Sequence, residues 1–142
     1  MQLIGKLRPL FKTAGCPLPK LVRASCGFPS CDAIVGRKIR GAEVWGSGLS
    51  EGGWYEIFIS PLAADSLHVA EMMTHELVHC AAGLRGCGHG AMFCDYAAKV
   101  GLVKSFRESN AGGTLRHRLK RIVKEIGPYP HSRLILSDGV FQ

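Results

Sequence analysis

The sequence predicts an α+β fold in a single domain, and three observations carry that reading. A chain of 142 residues suits one domain with one core. Apolar residues recur at helical spacing in four separate segments. Between the first and second of these lie short runs rich in β-branched and aromatic residues, bounded by Gly, Pro and Ser. The domain is read as residues 1–142, with an N-terminal helix at about 2–13, a core at about 21–127 and an irregular tail at 128–142.

The elements follow in order. Leu3, Ile4, Leu7, Leu10 and Phe11 mark the first helix, although Pro9 interrupts it. Cys16-Pro17-Leu18-Pro19 is a break, and residues 21–25 read as a short strand. Residues 27–36 read as a loop. Lys38 to Trp45 and Trp54 to Ser60 read as two strands joined by the turn-rich segment 47–53. A long helix then starts at a cap on Asp65 or Ser66 and runs through Leu67, Ala70, Met73, Leu77, Val78 and Ala81 to Gly83. After the glycine-rich turn at 84–90, a helix runs from about Ala91 to Val100 and is closed by Gly101. A last helix runs from about Gly113 to Ile126 and stops at Gly127-Pro128. The chain contains no internal repeat or low-complexity stretch.

No apolar run approaches the length of a membrane-spanning helix. The opening Met1-Gln2-Leu3-Ile4-Gly5-Lys6 lacks the apolar core of a secretion signal, so the expected compartment is the cytoplasm. There the six cysteines are expected to be reduced thiols or metal ligands, not disulfides. The net charge of +7 is unevenly spread. Residues 1–40 carry eight basic residues and one acid, residues 41–98 one and seven, and residues 99–142 nine and three. Basic ends offer a surface to a polyanion such as nucleic acid, against the plainer reading of solvated charge on terminal helices.

The acidic middle contains His75-Glu76-Leu77-Val78-His79. On a helix this spacing sets two imidazoles on one face, one turn apart, where they can share a metal ion. Glu76 is placed to act on a water at that ion. This is the HExxH pattern of zinc-dependent peptidases, expected by chance in such a composition at roughly the 1% level. A catalytic zinc keeps three protein ligands and one open position. The metzincin pattern places its third histidine where this chain has Arg85. Glu108 and Asp95 are weaker candidates, the first in a polar stretch and the second inside a helix. His89, bracketed by Gly88 and Gly90, is the preferred third ligand, because the glycines allow the backbone to approach closely. Cys87 could add a fourth ligand, which would close the site and leave its zinc structural.

At these residues the chain resembles the SprT-like metalloprotease domain, which includes the Spartan-type proteases of DNA–protein crosslink repair. The resemblance rests on His75-Glu76-x-x-His79, Gly88-His89-Gly90, Phe93, the helix end Val100-Gly101-Leu102, and the preceding strand Ile57-Phe58-Ile59-Ser60. The segment Gly127-Pro128-Tyr129-Pro130-His131 is similar to short bacterial and phage-type members. The likeness covers roughly residues 21–131 and is specific over 54–102. It implies a zincin-like fold, Zn²⁺ held by His75, His79 and His89, Glu76 as general base, and a protein substrate that is associated with or crosslinked to DNA. The family's zinc-ribbon module and extended DNA-binding regions have no counterpart in these 142 residues. The alternative expectation is a nucleic-acid-associated zinc protein with a structural or inactive metal site.

Other residues have two readings each. Tyr129 and His131 either line the cleft and donate to an oxyanion or make a tail contact. Glu71 and Asp95 either support an imidazole N–H or sit at the surface. Trp45 and Trp54 are expected in the core, and His68 and His117 at the surface.

Overall fold

The computed structural model describes residues 2–29, 34–35, 38–83 and 88–135. Within them the fold is α+β, with four helices around a small three-stranded sheet. The order is α1 (Gln2–Thr13), β1 (Val22–Cys26), β2 (Ile34–Val35), β3 (Lys38–Ile39), β4 (Ala42–Trp45), β5 (Tyr55–Ile59), α2 (Ser66–Ala82), α3 (Ala91–Val100) and α4 (Gly113–Ile126).

The sheet is mixed, in the order β1-β5-β4. β5 pairs in parallel with β1, Ile57 opposite Ala24, and antiparallel with β4, Ile57 opposite Val44. Its apolar residues lie on both faces, which is why alternation alone assigns it no side. In the fold Ile57 and Ile59 are buried against the helices, while Phe58 is half-buried on the outer face.

Two parts of the expected layout change. The segment 38–45 is not one strand. The strand is interrupted at Arg40-Gly41, where a Cβ on Gly41 would stand 2.6 Å from the Met72 sulfur of α2. Beyond the interruption β4 joins β5, and before it β3 pairs antiparallel with β2. Residues Ile34–Val35 are therefore strand within the stretch read as loop. The expected core positions of Trp45 and Trp54 are also wrong. Trp45 is exposed, and Trp54 is half-buried under the Arg23 guanidinium, 5.1 Å from the ring centroid. Both belong to the outer side of a sheet whose helices cover only the other face.

The helices match their expected spans. α1 buries Ile4, Leu7 and Phe11 at one-turn intervals, each worth about 2 kcal/mol of apolar burial. Pro9 is accommodated because it and Gly5, whose carbonyl it leaves without an amide partner, are both exposed. α2 is the central element, touching β4, β5, α1, α3 and α4. Asp65 caps it by accepting from the His68 amide at 2.7 Å, and Gly83 ends it at φ 81°. Every residue from Val69 to Val78 is buried. His68 and His117 are exposed, as expected. The tail from 128 to 135 has no helix or strand. No helix among the described residues is long and apolar enough to cross a membrane.

Candidate metal centre

α2 delivers the first two histidines. His75 and His79, one turn apart on the helix, have ring centroids 5.1 Å apart. Residues 84–87, including Arg85 and Cys87, lie outside the described residues. The chain re-emerges at Gly88, whose φ of 154° is one that side-chain-bearing residues rarely adopt. His89 then projects to the same place just before α3 begins. Its Nε2 lies 3.1 Å from Nε2 of His75, and the ligand nitrogens of all three histidines lie within 4.8 Å of one another. Two imidazole nitrogens sharing a tetrahedral zinc at about 2.0–2.1 Å stand about 3.3 Å apart. The His75–His89 pair is therefore already near metal-sharing spacing.

Phe93, in the first turn of α3, forms the wall of this cluster. Its buried ring lies 5.1, 4.2 and 4.7 Å from the rings of His75, His79 and His89. This apolar wall keeps the imidazoles neutral. Burial, with His79 and His89 adding to it, pushes His75 down to about 3. Burial and His89 push His79 down to about 4. His89 is also lowered, by burial and then by the charge of Arg107. A metal ligand must present an unprotonated nitrogen, and near neutral pH all three do. His75 Nε2 faces the cluster, while its Nδ1 is buried with no protein partner. With Nε2 given to a metal, Nδ1 carries the proton. Three neutral imidazoles, with no fourth ligand beside them among the described residues, fit the donor set of a catalytic zinc.

Glu76 follows His75 directly and is also buried. Burial pushes its carboxyl up to about 8, with Glu43 adding to the effect and Arg40 opposing it. A cation held by the neighbouring histidines acts in the opposite direction. No ion pair among the described residues engages Glu76. Cys80, next to His79, is buried and its thiol pushed well up, so it stays protonated and inert.

The remaining site expectations separate. Glu71 is buried but pairs with Arg116 at 2.9 Å, and Asp95 pairs with Lys99 at 2.7 Å, so neither supports an imidazole. Glu108 accepts from Asn110 at 2.9 Å. Tyr129 and His131 make the tail contact. The Tyr129 amide donates to the Ser66 hydroxyl at 2.9 Å, and His131 Nε2 lies 2.8 Å from the Pro61 carbonyl. Both line a cavity of about 660 Å³ with Cys26, Val69, Met73 and Ile126, and none of the three clustered histidines lines it. Met73, two residues before His75, leaves α2 on nearly the opposite side. Tyr129 and His131 thus face this cavity and not the histidine cluster.

Phe93 is marked by the motif although its role as a wall is not, and two contributions have no sequence signal: the Arg40–Glu43 pair (2.8 Å) near Glu76, and Arg107 near His89. Each depends on packing between distant segments. Comparison of the chain with protein-family models, with curated proteins and with solved structures returns no match.

Proposed function

We propose that this chain is a zinc metallopeptidase of the SprT-like, zincin-like type, acting on protein in the cytoplasm. One observation carries the reading: His75, His79 and His89 converge from two segments on a common point, with Glu76 beside them on the same buried helix turn. His75, His79 and His89 would hold the ion. A bound zinc acidifies a water and polarises a peptide carbonyl. Glu76 accepts the proton of the attacking water and returns it to the departing amine. Phe93 shields one side of the cluster from water. Among the described residues β4 is an edge strand of the sheet, the kind of position at which an extended chain can pair.

The test is a paired measurement on wild type and Glu76→Gln. Zinc content by mass spectrometry is expected at one equivalent in both. Cleavage of an unfolded protein is expected to fall about 100- to 10,000-fold in the variant. Cleavage unchanged in Glu76→Gln removes Glu76 from the mechanism. Full zinc with no cleavage by the wild type favours the structural-site alternative.

A further inference from the structure

The chain's excess charge sits on two helices. α1 carries three basic residues and no acid, and α4 carries five against Glu125 alone. Together they hold a net +7, the formal charge of the whole chain, so all other charges cancel. These helices are far apart in sequence but adjacent in the fold. Leu115, Leu119 and Ile122 form the buried stripe of α4, which leaves every cation of that helix exposed.

A groove of about 900 Å³ runs between them, lined by Lys6 and Pro9 from α1 and by His117, Arg118, Arg121 and Lys124 from α4. Glu125 reaches across it to Lys6. No ion pair among the described residues engages Arg118, Lys120, Arg121 or Lys124. Uncompensated cations at this density call for an anionic partner.

We infer that the α1–α4 groove binds the phosphate backbone of duplex nucleic acid. Two observations select this partner. A membrane surface would require apolar residues to insert, yet the exposed large apolar side chains are Leu21, Phe28, Trp45, Leu49, Met92, Val103, Leu134 and Ile135, none of them on α1 or α4. Single strands are held mainly by stacking on large aromatic side chains, and the one Phe, Tyr or Trp of the two helices, Phe11, is buried, which leaves only the small ring of His117. What remains is charge alone along a helix of about 21 Å, the rise of about six base pairs. Recognition is therefore of backbone, without base readout. Arg116, on another flank of α4, is tied to Glu71 four residues before His75, so the groove helix is braced to the helix of the candidate centre. The inference does not depend on peptidase activity.

The experiment measures binding of the full chain to a labelled duplex of roughly 20 base pairs by fluorescence anisotropy between about 50 and 200 mM salt. The triple variant Arg118→Ala/Arg121→Ala/Lys124→Ala is expected to bind at least tenfold more weakly. Its dependence of log affinity on log salt should be shallower by about 3, roughly one per lost phosphate contact. A control with the same charge loss elsewhere, Lys20→Ala/Lys104→Ala/Arg133→Ala, should retain most of the affinity and slope. Equal weakening in the control overturns the groove. So does absence of duplex binding by wild type at low salt, tighter binding to the matching single strand, or binding only to vesicles of phosphatidylserine.

Discussion

The histidine face of α2 and the exposed face of α4 handle ionisable side chains in opposite ways. On α2, Thr74, His75 and Glu76 are buried, and burial holds His75 and Glu76 in their neutral forms. On α4, Arg118, Lys120, Arg121 and Lys124 stand in solvent with their charges intact. The contrast teaches that one helix presents chemistry through desolvation and the other presents a field through solvation. Desolvation depends on close packing, so single substitutions on the first face should be costly. Charge in solvent is shared among neighbours, and several substitutions are needed to erase the second.

That contrast can be broken in graded ways. The largest effect is expected from Phe93→Ala. Removing a buried ring that touches all three imidazoles should lower stability by about 3–5 kcal/mol, read by urea denaturation. Loss of less than about 1 kcal/mol would mean that the wall is not packed. Next is His89→Ala, which removes a proposed ligand outright. Zinc affinity, measured by competition with a chromogenic chelator, should fall by more than the roughly 100-fold that loss of an outer-shell partner costs. Retained affinity would eliminate His89 as a ligand.

Third is the pH profile of the metal-free protein. The unfolded chain protonates His75 and His79 near 6.5, while the folded chain resists down to about 3 and about 4. Stability is therefore lost as pH falls below 6.5. Glu76 works in the other direction. Its folded carboxyl keeps its proton up to about 8 against 4.5 when unfolded, so stability is lost as pH rises from 4.5 through 8. Between 4.5 and 6.5 the two histidines outweigh the one glutamate. The maximum should fall near pH 6.5, with slopes of roughly 1 kcal/mol per pH unit on either side. Thermal melts in chelator across pH 4–9 check this, and a flat profile would contradict the burial of the cluster. The smallest effect is expected where the two faces meet. Arg116→Ala leaves the buried Glu71 carboxylate without its cation and should cost about 1–2 kcal/mol, because Arg116 itself is half-exposed.

The two faces also differ in how well they could be read beforehand. His75, Glu76 and His79 were legible because one helix turn fixes their spacing, and His89 because its flanking glycines mark a backbone that must bend. All four helices were legible from capping residues and apolar period. The strand break at Arg40-Gly41 was not, since the closeness of Gly41 to the Met72 sulfur arises from a helix far along the chain. Trp45 and Trp54 were misplaced because hydrophobicity does not say which side of a sheet the helices cover. The basic ends were visible as composition, but their joining into one groove required α1 and α4 to pack together. Arg107 and Glu43 act on the site through space from segments with no motif of their own.

The loop carrying Arg107 has a pinched neck. Leu102 pairs with Ala111, the Val103 amide donates to Asn110, and the Gly112 amide donates to the Gly101 carbonyl at 2.8 Å. A Cβ on Gly112 would stand 3.0 Å from that carbonyl, so the closure admits little else. Residues 104–109 thus hang from a staple between α3 and α4, with Phe106 packed back on the core. Exposed positions such as Lys104, Ser105, Arg107 and Glu108 can therefore be exchanged while the staple and the Phe106 anchor keep both helices in place, making this part of the rim an adjustable fitting beside a fixed centre.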